Sequence, residues 1–501
     1  MSLSRRVASN AVGQIAGRLI TSTLAFVITA LLLPRHLSGE AFGIFAFHLS
    51  LYQLLANVID FGAGTIVVRE ASRRRAEAGV LLGSLVLLKL AVGVVGVALL
   101  LGVAMVFEGW GLRLALLAVA ALHLLCYSPG GTAAIFHVDM DFKWAVRANV
   151  AGQSGWMLAT AALLLADVTE PAAYLVAFAV GPVVTSALSY AWARRRVRIR
   201  FDGGRAALAA LWHEAWPAGV SMSLASVYFF IDTAMLRPLR GELEVGRYRA
   251  AYAIMTFALM VPVLFSQVVF PVYSRLWAKG PAALLPFHQR SLRLLFSLGL
   301  LVTVTVPQLR HEIMALVYPA GYASAADTMA LLFAAVVLVF CAYPHVLALL
   351  SSGNQRAMMY LSGSAAAFNV LANLWAIPRY GMLGAAATTV ATEAWVLLLA
   401  MWAGRRLAGV RPELSLLLRP VAAAAAAAAA LAWLLGLLPG DASALRVLVG
   451  VAVGALGALL AGVLPLELGG EAGAPDVLDA ADVPRGAGMG ARESACSEPP
   501  P

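Results

Sequence analysis

Long apolar runs, broken by short charged or Pro/Gly stretches, dominate the chain. Each run is near the ~20 helical residues that cross a hydrocarbon core. The pattern predicts helices over 11–33, 41–66, 79–106, 113–135, 148–166, 172–193, 213–236, 250–273, 291–309, 325–350, 358–377, 382–403, 416–436 and 445–464. That makes fourteen spans, and the fold class expected is an all-α polytopic membrane protein.

Composition supports this reading. The 501 residues are 61% hydrophobic and 12% charged, whereas a soluble domain carries about 25% charged residues. Cys126 and Cys341 lie in apolar segments and Cys496 in the tail, which makes neither a disulfide framework nor a metal cluster. The first apolar stretch follows Arg5 and Arg6 and is too long for a signal-peptide core. A net charge of +10 would suggest nucleic acid in a soluble protein. Here the basic residues alternate between loops, so membrane orientation explains them better and no nucleic-acid partner is expected. With a cytoplasmic N-terminus, inner segments hold 23 Lys/Arg and outer loops nine, among them Arg237, Arg240, Arg247 and Arg249 after the seventh helix. Basic residues favour the cytoplasmic side, so both termini are expected there.

From about Pro465 the chain turns to Gly, Ala, Pro and acids, which reads as a disordered cytoplasmic tail over 465–501. A weak internal repeat relates SGEAFGIFAF to RGELEVGRYRA, with Gly43 aligned to Gly246. An even offset of six helices predicts two lobes, 1–205 and 206–408, related by an axis along the membrane normal with a cavity between them. Residues 409–464 would add two further helices.

There is no GxxxxGK[ST] phosphate loop, no HExxH and no extramembrane catalytic domain. A transporter without cofactor fits better than an enzyme. Intramembrane ionisable groups are candidates by default, since an unpaired charge at the bilayer centre costs ~2.5 kcal/mol or more. Lys89, near the middle of its helix, is a cavity cation that meets an anion or pairs with a carboxylate; a structural ion pair or snorkelling is the alternative. Arg18 competes between a phosphate contact and snorkelling. Glu393, also near the midplane, would bind a proton or cation, pair with an arginine, or serve packing alone. Asp60, with Arg69 and Arg73 downstream, suggests a gate salt bridge or a plain helix end. Asp232 sits near a predicted outer helix end, above Arg237 and Arg240. His123 reads as an interhelical hydrogen-bonding residue. Asn369 and Asn373 share a helix face and would join helices; Pro378 would stop that helix, Gly381 would allow a tight turn, and Gly384 would permit close packing.

The run N-x3-N-x4-P-x2-G-x2-GAAAT-x4-E at Asn369–Glu393 resembles the signature of polysaccharide-export flippases. These belong to the superfamily that also holds multidrug extruders and lipid II flippases. SGEAFGIFAF, DFGAGTIVVREASR (60–73) and ID-x13-G-x-Y (231–248) match in the same order. The resemblance implies alternating access between two six-helix lobes arranged in a V. The implied cargo is an isoprenoid-diphosphate-linked oligosaccharide for O-antigen, capsule or exopolysaccharide. The implied partners are that lipid, the surrounding membrane lipids, and a polymerase and glycosyltransferases, with the chain a monomer. Arg18 and Lys89 are the cationic candidates for the diphosphate, on burial alone. A lipid II flippase, a multidrug or cation antiporter and a membrane glycosyltransferase are the rivals. The antiporter reading is weakened because the first and eighth predicted helices lack a carboxylate.

Overall fold

The computed structural model describes residues 3–411, 413, 417–440 and 442–461. The predicted tail, 465–501, lies outside the described residues. Eighteen helices follow one another: α1 Leu3–Phe26, α2 Leu33–His36, α3 Gly39–Asp60, α4 Ala63–Arg73, α5 Ala78–Glu108, α6 Leu112–Ala121, α7 His123–Gly130, α8 Ala134–Val138, α9 Lys143–Leu165, α10 Pro171–Ala193, α11 Gly204–Arg240, α12 Glu242–Ala278, α13 Pro281–Thr305, α14 Arg310–Val317, α15 Ala326–Ser351, α16 Gln355–Leu407, α17 Leu418–Leu437 and α18 Ser443–Leu460. Among the described residues there is no strand.

Among the described residues, twelve segments are long and apolar enough to cross a membrane. One of them, α16, is two antiparallel arms that meet at Gly381, whose backbone (φ 57°, ψ −135°) is not helical. Counting both arms and the 23-residue α9 gives the fourteen expected. Local signals start several helices. The Ser38 hydroxyl caps α3 by accepting from Ala41 N at 3.2 Å, and Pro171 opens α10 behind a Glu170 cap. Between α1 and α2 the chain winds as a π-helix over Val27–Leu32, a widening of the helix that frequently marks functional positions.

Two departures from the expected pattern matter. The predicted outer loop at 237–249 is helical apart from Gly241, whose φ of 87° permits a tight turn. Its arginines therefore stand on helix ends. In the first arm of α16, Pro378 does not stop the helix, which runs on to Gly381.

Helices α9 and α10 pack together, α1 lies on α9, and α10 touches α7 and α3; α11, α12, α13, α15 and α16 form the second group. The groups meet where α3 crosses α11 and α12. There the repeat-related glycines face each other: a Cβ on Gly246 would stand 3.3 Å from Gly43 N, and one on Gly43 would overlap the Glu242 carbonyl. The connection between α10 and α11 lies along α5, with Arg200 N donating to Gly79 O at 3.0 Å. Beside it, Arg196 reaches Asp139 and Asp141 at 3.1 and 2.6 Å. Partial burial pushes the Asp141 carboxyl up, but Arg196 and Lys143 outweigh it and hold the group below the usual carboxylate range. Helices α17 and α18 pack on α13 and α14 at the side of the bundle. Arg446 meets Glu312 there at 3.1 Å.

Candidate functional site

Between the two groups lies a cavity in two adjoining compartments of about 670 and 680 Å³, within the size range of ligand pockets. Arg18, Ser22, Gln53, Asp60, Tyr127, Gln153, Trp156 and Phe178 border both. The first compartment is polar. Asn149 and Gln153 of α9, Thr185 and Ser189 of α10, and Gln267 of α12 line it, together with Lys89. The second is aromatic, with Phe26, Phe229, Phe230, Tyr252, Phe257 and Tyr343. Phe26 and Phe257 meet across the α1–α12 seam with ring centroids 5.0 Å apart.

Charge in the lining is lopsided. Arg18, Lys89 and Arg249 stand against a single carboxylate, Asp60. Lys89 is 4% exposed, and its Nζ donates to Asp60 Oδ1 at 2.5 Å. The gate salt bridge expected from Asp60 to Arg69 or Arg73 is therefore not formed. Asp60 ends α3, and the left-handed residues Phe61 and Gly62 redirect the chain, so the α4 arginines lie elsewhere. Arg69 pairs instead with Glu70 and with Glu214 of α11. Arg18 is exposed to the cavity. Arg249 lines the aromatic compartment, its guanidinium 5.3 Å from the centre of the Tyr252 ring.

Asp232 is not at a helix end above loop arginines, because α11 continues to Arg240. It is 2% exposed and accepts from Tyr248 Oη at 2.9 Å and Asn373 Nδ2 at 2.6 Å, with the Thr389 hydroxyl at 2.9 Å. Asn373 also donates to Asn369 Oδ1 at 3.0 Å, and Asn369 donates to Thr392 at 3.2 Å. One buried network thus ties α11, α12 and both arms of α16. Glu393 follows Thr392 and is 5% exposed; among the described residues no hydrogen bond or ion pair reaches its carboxyl. Gly384 faces the other arm, where a Cβ would overlap the Ala376 carbonyl. His123 opens α7 and bonds to Ala120 O of α6, three residues earlier in the same span, at 2.5 Å. It packs among Tyr52, Tyr127 and Phe178 rather than reaching across helices.

A second charged cluster closes the end of the bundle where α3 and α12 begin. Glu108 at the end of α5 pairs with Arg237 at 2.5 Å and with Arg113 at 3.2 Å, and His48 lies 3.7 Å away. Arg237 is held between the Phe47 and Phe107 rings and also reaches Glu242 at 3.1 Å.

The family profile described as "Polysaccharide biosynthesis protein" matches residues 7–277. The chain belongs to that family. Among solved structures it resembles a lipid II flippase, MurJ, in an inward closed conformation. The TM-score is 0.71 at 10% identity, over 90% of this chain and 98% of that one. It also resembles an inward-facing multidrug resistance MATE family transporter of the MOP superfamily (0.64, 16%, 77% and 93%). A MOP superfamily transporter from Pyrococcus furiosus, described as having a binding pocket of reverse polarity, aligns at 0.58 (14%, 80% and 94%). No curated sequence matches the chain significantly.

This member of the polysaccharide biosynthesis family is thus a multi-pass membrane protein with the fold of those transporters. Sequence reading missed Arg249 as a cavity residue because six charges over 237–249 read as a loop. The overlooked signal was pairing: Arg237 with Glu242 and Arg240 with Glu244, opposite charges that bridge a one-residue turn at Gly241 between two helix ends. The α9 stripe Asn149, Gln153, Trp156 was also legible as a polar face and was not singled out.

Proposed function

We propose that the chain carries an isoprenoid-diphosphate-linked oligosaccharide from the cytoplasmic to the outer leaflet by alternating access, for surface polysaccharide assembly. It works as a transporter, without an enzymatic step or cofactor, in a bacterial inner membrane with both termini cytoplasmic. The regions 1–205 and 206–408 act as the two moving lobes. The α3–α12 seam then faces outward.

The observation that carries this reading is the cationic cavity between the two helix groups. A diphosphate needs positive charge and a hydrated path, whereas its polyprenyl tail is already soluble in lipid. Arg18 and Arg249 approach one compartment from α1 and α12, and each supplies the fork geometry that suits phosphate oxygens. Lys89 is committed to Asp60, so it adds positive potential more than a direct contact. A multidrug or cation antiporter would call for carboxylates in the cavity, which offers only Asp60, already paired.

Proteoliposomes loaded with a labelled polyprenyl-diphosphate glycan test the assignment through leaflet accessibility. Wild type should move the glycan, and Arg18→Ala and Arg249→Ala should each slow it by about tenfold or more, the size of one charge-assisted contact. Wild-type rates in both variants would remove the cationic cavity from the mechanism. Lipid II supplied in parallel separates that cargo, which shares the diphosphate but carries a peptide.

A further inference from the structure

The polar compartment has chemistry that the diphosphate does not use. Asn149, Gln153 and Trp156 recur at i, i+4 and i+7 on α9, so they form one stripe facing the cavity. No charged side chain interrupts it. Trp156 is 3% exposed, yet its Nε1 has no hydrogen-bond partner among the described residues, and neither does Gln153 Oε1. A buried indole N–H without an acceptor is costly, and its partner is often a ligand or water. Here it borders both compartments. Phe178 of α10 stands perpendicular to the indole at 5.1 Å, which fixes the Trp156 ring. Close approach of the two helices allows this, since a Cβ on Gly152 would overlap the Thr185 hydroxyl.

An aromatic body, an N–H donor, an amide acceptor and a further amide, all uncharged, suit a pyranose. Such a ring presents hydroxyls around its rim and apolar C–H faces, and it carries no charge to be neutralised. We propose that the α9–α10 face is a subsite for an uncharged pyranose, the sugar joined directly to the diphosphate. Arg18, which borders both compartments, holds the diphosphate at the junction. The arrangement makes the cavity bipartite: cations toward α1 and α12, sugar toward α9 and α10. This inference rests on the lipid-diphosphate reading above.

The test compares the full-length protein's affinity for two probes, farnesyl diphosphate and farnesyl diphosphate carrying one N-acetylglucosamine. In wild type the sugar should tighten binding by about tenfold, roughly one to two net hydrogen bonds. Gln153→Ala and Trp156→Ala should each erase that increment while leaving bare-diphosphate affinity within about twofold, which also reports that the variant is folded. Should Trp156→Ala fail to fold, Asn149→Ala and Gln153→Ala, at the cavity surface, carry the comparison. Arg18→Ala should weaken both probes alike. A sugar increment that survives in the α9 variants overturns the subsite, as does equal loss for both probes. If wild type binds bare diphosphate with no gain from sugar, the subsite alone falls. If wild type binds neither, the transport reading falls with it.

Discussion

Lys89 and Asp60 show how burial decides what a charge is for. Lys89 is 4% exposed, whereas the Asp60 side chain is 48% exposed at the cavity wall. Removing one member of a pair is costly chiefly for the charge left behind, and a buried charge that loses its partner costs about 3–5 kcal/mol. Asp60→Asn strands the buried ammonium and should destabilise the protein by that amount. Lys89→Met strands a carboxylate that water already reaches, so it should cost about 1 kcal/mol, as for exposed pairs. Thermal unfolding of the two single variants and the double variant reads the asymmetry. Equal costs for the singles would mean that the pair is solvated from both sides. The Asp232 network follows the opposite logic. It sits away from the cavity lining, and its partners come from three helices, so it organises the second helix group whatever else it does.

At the scale of elements, α16 shows what the sequence could and could not reveal. Period and length placed its two arms, and the Pro-x-x-Gly spacing placed the break, because backbone constraints are local. Which contact holds the break closed was not legible. Glu244, 138 residues earlier, accepts from Met382 N at 2.9 Å, and a Cβ on Gly381 would run into its carboxylate. Likewise, hydrophobic period predicted α11 and α12 but clipped their ends, since paired charges at helix termini look like loop to a hydropathy count. Lys89 was found from burial and Arg249 was not, for the same reason. Gly381→Ala should therefore cost about 1–3 kcal/mol, since its φ of 57° with ψ of −135° is outside the regions open to L-residues. Unfolding in detergent measures it. The double variant with Glu244→Ala should recover only the steric part, so full recovery would show that the backbone conformation is unstrained.

At the scale of the molecule, the repeat becomes a mechanism. Gly43 and Gly246, aligned by the sequence repeat, meet each other, as two residues beside an axis relating the proposed lobes would. Backbones this close leave no room for water, and the Glu108–Arg237 pair with its flanking Phe rings closes the seam next to them. Under the proposed orientation this is the outer seal, and opening outward must break it. Because the pair spans α5 and α11, one from each helix group, its energy belongs to the closed state alone and sets the balance between states. Arg237→Met should thus favour opening. In a background with Cys126, Cys341 and Cys496 replaced by Ala, a Ser22→Cys cavity reporter would be labelled by an impermeant maleimide from the outer side. A loss of about 1.4 kcal/mol of closure raises that rate tenfold. Arg69→Met, at the Glu214 contact where α4 meets α11, should instead leave outside labelling unchanged or lower. A reporter indifferent to Arg237→Met would show that the glycine contact alone holds the seam.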